Sequence, residues 1–376
     1  GGRFPTARAV SEAIEGVGGV LNAATDREAT VFWTRVPATQ FELAVSVLAD
    51  MLLRPAFDPA EVVKERQVVI EELRMYQDSP QDFAQIVFDE VMWPDHALGR
   101  DVAGREETVR TFTGDQCRTH VDMHVRPETL VVSVAGGVSA DHAAAVVAAE
   151  LQDWAQRRRP ERTTPEAATA PHGPVLRVAR RTVEQASLLL GARSLSYLDP
   201  DRFALDLLNV VLGEGMSSRL FLELRERRGY VYDVHSFVSR LRDTGVFGMG
   251  LGCEPRRARV AMRAAIAELE RLVDAPVEDA ELHKAREYAK GRLLLQLEST
   301  STLCEYAGQQ LLLTGTVLEP AEVVARYDAI TAADVQRVAQ RTSASGLRAA
   351  IVGPFRSEQA FEALLLDVKS ASSSSL

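Results

Sequence analysis

The chain has 376 residues, enough for two or three domains with ample core, and its 46% apolar and 26% charged content is that of an ordinary globular protein. Its 43 basic and 53 acidic side chains leave a net charge of −10, which argues against a nucleic-acid partner and favours basic or neutral ones. Cys117, Cys253 and Cys304 are odd in number and widely spaced, which excludes a disulfide framework or a cysteine zinc site and leaves buried free thiols as the expectation.

No signal-peptide pattern and no apolar run of about 18 residues is present, so the expectation is a soluble, cytoplasmic chain with no membrane partner. The chain opens Gly1-Gly2-Arg3 without an initiator Met, so its beginning is not expected to be the gene's beginning.

Pro5 to Gly16 reads as a helix, with Thr6 as its cap and Val10, Ile14 and Val17 on its apolar face. Gly18 and Gly19 end it. The strand that follows, Val20 to Thr25, is joined through Asp26-Arg27-Glu28 to a second strand, Ala29 to Val36. Around Asn22 and Ala23 the side chains are small. The stretch is either an edge strand that accepts an extended peptide by strand addition or a plain hairpin with an Asn turn residue. Thr39 to Leu53 is a strongly apolar helix.

The next run, Asp58 to Tyr76, carries the main signal. Asp58 caps a helix, Pro59 takes the first turn, and Glu61 sits near the positive end of the dipole. At 100° per residue Val62, Val69, Leu73 and Tyr76 form an apolar stripe, flanked by Val68 and Met75. Glu65 and Glu72 are seven residues apart, hence within about 20° of each other, and point between the stripe and its flank. Two carboxylates on a largely buried face cost several kcal/mol each unless a cation meets them. The ordinary alternative is an Arg or Lys partner from a neighbouring element, or a side chain that snorkels outward.

Helices at Phe83 to Trp93 and Gly114 to His124, a buried strand at Thr129 to Gly136 and an Ala-rich helix at Ala140 to Trp154 complete what reads as one α+β unit, residues 1–155. Residues 156–174 are rich in Arg, Pro and Thr without apolar period and read as a linker. The second domain, 175–368, repeats the plan. Strands are expected at Val175 to Val183, Ala186 to Gly191, Val231 to Ser239, Thr244 to Gly252 and Leu347 to Val352. Helices are expected at Arg202 to Leu212, Ser217 to Arg228, Arg256 to Val273, Asp279 to Gly308 and Thr331 to Thr342, and the tail 369–376 reads as disordered.

A shift of 220 lays Asp58-Pro59-Ala60-Glu61 to Arg66 over Glu278-Asp279-Ala280-Glu281 to Arg286, with Ala, Glu, Lys and Arg recurring. The second copy replaces Glu65 with Ala285 and Glu72 with Arg292. Scaffolding would be expected in both copies, so the asymmetry favours a task carried out in one half. In the run Leu224 to Tyr232, Arg227 and Arg228 suit the last carbonyls of a helix. Arg225 and Tyr232 either serve the same structural end or face a cleft and hold a peptide carbonyl or carboxylate.

Three stretches in order, GGVLNAATDREAT, VVKERQVVIEEL and GMSSRLFLELRERRGYVYDV, resemble the M16 (pitrilysin or inverzincin) metallopeptidases over nearly the whole chain. The resemblance is to the bacterial processing-protease type, similar to mitochondrial processing peptidase. It implies a LuxS/MPP-like metallohydrolase fold, α+β, built as two homologous domains, each a mostly antiparallel sheet packed with helices. It further implies a zinc-dependent endopeptidase acting on a peptide or unfolded protein held in a two-domain clamshell, and pairing as a homodimer or with a related M16 subunit. By it, Glu72 matches the distal glutamate ligand of Zn2+ and Glu65 the second acidic residue of the catalytic site. Asn22 and Ala23 match the substrate-pairing edge strand, and Arg225 and Tyr232 the substrate-holding pair of the second domain.

One departure bears on all of this. The family's H-x-x-E-H motif, two His ligands and a general-base Glu, is absent, and the seven His are scattered. His120 and His124 have helical i, i+4 spacing but no Glu between them and read as surface or interface residues. In the family layout the motif falls a few residues before Gly1. The expectation is therefore a chain cut just downstream of its metal helix, inactive alone and binding no zinc tightly, because carboxylates without imidazole make a poor zinc site. The alternative is a non-catalytic M16-like subunit or scaffold that partners an active subunit.

Overall fold

The computed structural model of the protein describes residues 2–154 and 176–366; the linker expected at 156–174 and the tail expected at 369–376 lie outside the described residues. In chain order the first stretch forms α1 (Ala7–Glu15), β1 (Val20–Thr25), β2 (Thr30–Arg35), α2 (Phe41–Leu53), α3 (Pro59–Asp78), α4 (Pro80–Met92), the single turn α5 (Glu106–Val109), α6 (Gly114–His124) and α7 (Ala140–Leu151). The second forms β3 (Leu176–Arg180), β4 (Ala186–Ser194), α8 (Arg202–Gly213), a π-helical turn (Phe221–Arg227), β5 (Asp233–Arg240), β6 (Gly245–Cys253), α9 (Ala258–Asp274), α10 (Asp279–Gln296), α11 (Thr300–Thr314), α12 (Pro320–Ala329), α13 (Ala332–Ala344), β7 (Arg348–Gly353) and α14 (Gln359–Leu366). Among the described residues no helix is long and apolar enough to cross a membrane.

Two of the expected caps form. Thr6 accepts from the Ala9 N–H, and Asp58 Oδ1 accepts from Ala60 at 2.8 Å and Glu61 at 3.3 Å. Each satisfies a donor at a helix start that has no partner inside the helix.

The chain packs as two compact units. One gathers residues up to Leu73, those from Val102 to the end of the first described stretch, and Gln296–Val317; the other gathers Arg74–Asp101, the second stretch to Leu295, and the chain from Leu318. The second unit is built on a five-stranded sheet of order β3-β7-β4-β6-β5, in which only β3 and β7 run parallel. The register from Ala186↔Cys253 to Ser194↔Gly245 sends Leu188, Leu190, Met249, Leu251 and Ile351 to one face. There they form the main core with α8, α9 and α13 through Leu205, Leu208, Met262, Leu269 and Val338. The other face, with Ala350 and Val246, is covered by Val87, Phe88 and Met92 of α4. Strands buried on both faces are continuously apolar, which is why β4 and β6 lack polar alternation.

Two arginines hold the end of α4. Arg193 donates to the Met92 carbonyl at 3.2 Å and lies 4.1 Å over the Trp93 ring, and buried Arg348 donates to the Val91 carbonyl at 2.6 Å. Cations at a helix C-terminus meet its unpaired carbonyls and the negative end of the dipole. Burial lowers the pKa of both guanidinium groups.

In the first unit β1 and β2 form a two-stranded antiparallel sheet with Asn22↔Trp33 and Ala23↔Phe32 opposite each other. Buried Asp50 of α2 accepts the backbone N–H groups of Gly2, Arg3 and Phe4 at 3.0–3.2 Å and Arg54 Nε at 2.6 Å. A small cluster of Ile70, Leu73 and Val109 holds α3. In α11, Cys304 Sγ donates to the Ser133 carbonyl at 3.0 Å.

The structure corrects several sequence-based expectations. The buried strand at Thr129 to Gly136 does not form: residues 130–135 pair with no strand among the described residues, and Val132 and Val134 are exposed. Its counterpart at a shift of 218, β7, lies between β3 and β4. The described residues of the first half supply no counterpart of those two strands, and an apolar segment with no neighbour cannot complete a ladder.

The single helix expected at Asp279 to Gly308 is two, α10 and α11, broken at residues 297–299 where Ser299 is extended. The run Ser299-Thr300-Ser301-Thr302 competes for backbone hydrogen bonds and favours a cap over a helix interior. Helices α12 and α14 were not expected, although Pro320 at the first position of α12 is a start signal. Of the thiols, only Cys253 is buried; Cys117 and Cys304 are half-buried.

Candidate metal and peptide site

Glu65 and Glu72 of α3 face solvent. The buried side of the helix is carried by Ile70 and Leu73 with Val69 packed beside them, so it overlaps the expected stripe at Leu73 and Val69 but is rotated off Tyr76, which is exposed. Among the described residues neither Glu65 nor Glu72 has a hydrogen bond or an ion pair, so the buried acidic pair expected from the sequence is not what the structure contains. The reason lies in their neighbours. Val68, Met75 and Tyr76, on the same side, are 49%, 58% and 40% exposed, so this side of α3 is a half-exposed apolar surface bearing two acids.

The second half shows what that side meets when it is covered. In α10 the counterpart of Glu65, Ala285, is fully buried, and Tyr288, the counterpart of Val68, packs against the core. Arg292, the counterpart of Glu72, lies 3.9 Å from Glu214, and Glu214 accepts from Asn209 Nδ2 of α8 at 3.1 Å. Lys284 donates to the Ser217 carbonyl at 2.8 Å, and Arg219 makes a bidentate pair with Glu281. Thus α8 and the chain that leaves it are tied to the α10 positions that correspond to Glu61, Lys64 and Glu72. The described residues of the first half provide no counterpart of α8.

Asn22 and Ala23 are exposed on β1, whose only strand partner among the described residues is β2. The Ala23 N–H donates to Asn22 Oδ1 at 2.8 Å.

Arg225 and Tyr232 belong to the second unit, and both are exposed. The helix expected at Ser217 to Arg228 covers only residues 219–227, because Ser218 turns its hydroxyl onto the Gly215 carbonyl at 2.7 Å instead of capping. Its Phe221–Arg227 portion is π-helical, and the Arg225 guanidinium lies 5.1 Å over the Phe221 ring. Arg227 and Arg228 do not serve the last carbonyls as expected. They bind the carboxylate of Glu223 at 2.8 and 2.6 Å, and the Arg228 hydrogen bond, more than burial opposes it, holds that carboxyl below the usual carboxylate range.

The helix ends at Gly229, whose φ of +57° is left-handed, and Tyr232 then donates its N–H to the Gly252 carbonyl at 2.8 Å. A side chain at that φ is strained although space is free around the position. Gly229→Ala is expected to cost about 1 kcal/mol of the second unit's stability, measured by thermal unfolding; an unchanged midpoint would contradict it.

Among the described residues no three His, Cys, Asp or Glu side chains gather closely enough to hold a metal ion. His120 and His124 stack at 4.5 Å on α6 and are exposed; burial and then the neighbouring His124 lower the His120 pKa. The residues present do not fit zinc, since Glu72 and Glu65 have neither imidazole partners nor shelter from water.

Residues 2–106 match the family described as insulinase, peptidase family M16, and residues 111–288 match the peptidase M16 inactive domain. An uncharacterized zinc protease of Streptomyces coelicolor is 34% identical over 369 residues, 96% of this chain and 79% of that protein. Another from Mycobacterium leprae is 32% identical over 356 residues, 94% of this chain and 80% of its own length. The crystal structure of a protease from Helicobacter pylori superposes with a TM-score of 0.85 at 21% identity, covering 93% of this chain and 85% of that one, which shows a shared fold.

Proposed function

We propose, from the premise that this chain belongs to the M16 peptidase family, that it acts as a zinc-dependent endopeptidase once the open side of α3 is covered by a helix bearing H-x-x-E-H, a motif absent from its 376 residues. In this reading Glu72 is the carboxylate ligand of the metal and Glu65 supports the site. Asn22 and Ala23 offer the backbone of β1 to an extended peptide, and Arg225 and Tyr232 are peptide-holding residues. The observation that carries the reading is the comparison of α3 with α10. The side of α10 that is tied to the chain leaving α8 corresponds to the side of α3 that bears two acids among half-exposed apolar side chains. A net charge of −10 favours basic or amphipathic segments of peptide or unfolded protein as substrates.

The absent motif favours a second reading, in which the chain is a non-catalytic subunit that pairs with an active M16 partner or with its own copy. One experiment separates the two. The chain is prepared as it stands and with an H-x-x-E-H helix placed before it, and bound zinc and cleavage of basic and acidic fluorogenic peptides are measured. The extended protein is expected to bind one zinc and to cut the basic peptide faster, with Glu72→Gln weakening zinc binding by at least about tenfold. Zinc binding no better than that of the chain alone would leave the subunit reading standing.

A further inference from the structure

The end of the π-helical turn is fastened by a clasp that none of the roles above uses. Glu223 is only 7% exposed, yet its two carboxylate oxygens take Arg227 Nη1 at 2.8 Å and Arg228 Nε at 2.6 Å. The backbone is wound wide at this point, the Arg228 N–H reaching the Glu223 carbonyl at 3.2 Å. Gly229 then donates to the Arg225 carbonyl at 3.1 Å and Tyr230 to the Leu224 carbonyl at 2.8 Å. From α9, Arg257 Nη1 donates to the Gly229 carbonyl at 3.0 Å, and the Arg228 and Arg257 guanidinium groups lie 5.7 and 6.0 Å over the Tyr230 ring.

Burying a carboxylate costs its hydration, so Glu223 does not favour the helix by burial alone. What it does is tie the helix to the two residues that lead out of it. Arg225 lies two residues after Glu223, and Tyr232 lies two residues beyond Tyr230. The clasp joins side chains of the segment that presents both, and Arg257 binds that segment's backbone at the Gly229 carbonyl.

We infer that Glu223 is a positioning residue, which through Arg227 and Arg228 sets the turn that presents Arg225 and Tyr232 to a bound peptide. The inference rests on the peptide-holding role proposed above for Arg225 and Tyr232. π-Helical turns are often retained where a side chain must be aimed, and this one aims Arg225.

The test measures binding of a fluorescently labelled, basic, unstructured peptide to this chain by anisotropy, together with native-state amide exchange at Gly229 and Tyr230. Glu223→Gln is expected to weaken the peptide about tenfold and to speed exchange at both amides about tenfold. Arg228→Gln, which opens the clasp from its more exposed side, is expected to follow it, so the inference stays testable if the Glu223 variant does not fold. Because Glu223 acts through Arg225 and Tyr232, the loss in the double variant Glu223→Gln/Arg225→Ala is expected to be smaller than the sum of the two single losses.

Additive losses in the double variant would overturn the inference, as would unchanged amide exchange in both clasp variants. If the unaltered chain binds no peptide, or if Arg225→Ala and Tyr232→Ala bind it as the unaltered chain does, the peptide-holding role fails and the role of Glu223 with it. Faster exchange in the clasp variants would then still report the clasp itself, which keeps the two failures apart.

Discussion

Truncating Phe88 to alanine is expected to cost the second unit about 3–5 kcal/mol, the range for removing a fully buried aromatic ring. Phe88 is 1% exposed, and its ring meets Phe237 edge-on at 6.1 Å. It sits in a cluster with Val87, Met92, Val246 and Ala350. The cavity left by Phe88→Ala would lie on the face of the sheet that α4 covers. Gly191 lines it, because a Cβ there would come within 2.8 Å of the Phe88 ring, so little can close over the space. The measurement is amide exchange along β4, β6 and β7, where protection is expected to fall. Phe88 lies within residues 2–106, the part that matches the first family region, yet the loss should register in the second unit. A loss confined to β1, β2 and α2 would refute the assignment of α4 to that sheet.

The second large effect concerns Asp50. Burial raises the pKa of its carboxyl, but the Phe4 N–H, Arg54 and the Arg3 N–H together outweigh burial and bring it from 3.8 down to about 2. A carboxylate whose pKa is depressed on folding stabilises the folded state fully above the unfolded pKa and loses that contribution as pH falls through the folded one. The window is therefore roughly pH 4 down to pH 2, and the contribution is about 2 kcal/mol. Asp50→Asn keeps the shape but removes the charge and one acceptor from four donors, so a loss of about 2–3 kcal/mol is expected at neutral pH. Urea unfolding followed at the amides of α2 should show the variant and the parent converging near pH 2. A difference that stays constant between pH 7 and pH 2 would rule out the carboxylate as its source.

Much of this molecule could be read before any coordinates were known. Thr6 and Asp58 announced two helices through their caps, and Asp26-Arg27-Glu28 marked the hairpin. The α+β class and the duplication follow from patterns that recur at a fixed shift, since the same apolar spacing buries the same faces twice. The family is legible for a related reason: its motifs are runs of neighbouring residues.

The misreadings share a different cause. A wheel drawn on Asp58 to Tyr76 can find the apolar residues but cannot say which of them meets a neighbour. Ile70 and Leu73 did; Val68, Met75 and Tyr76 did not. Residues 130–135 have the composition of a strand, but a strand is a relation between two segments, and no second segment lies beside them among the described residues. Glu223 gave no sequence signal beyond its place four residues before the Arg pair at a helix end, because a buried acid and an exposed one are spelled alike.

What the sequence determined by itself was local and periodic: helix starts, strand alternation, the repeat, and the family motifs. Tertiary structure alone decided which faces were covered, that α4 belongs to the sheet of the second unit, and that the acids of α3 stand in water. Propensities and caps act within a few residues along the chain. Burial and pairing depend on what arrives from elsewhere, and the chain does not encode that in any single window.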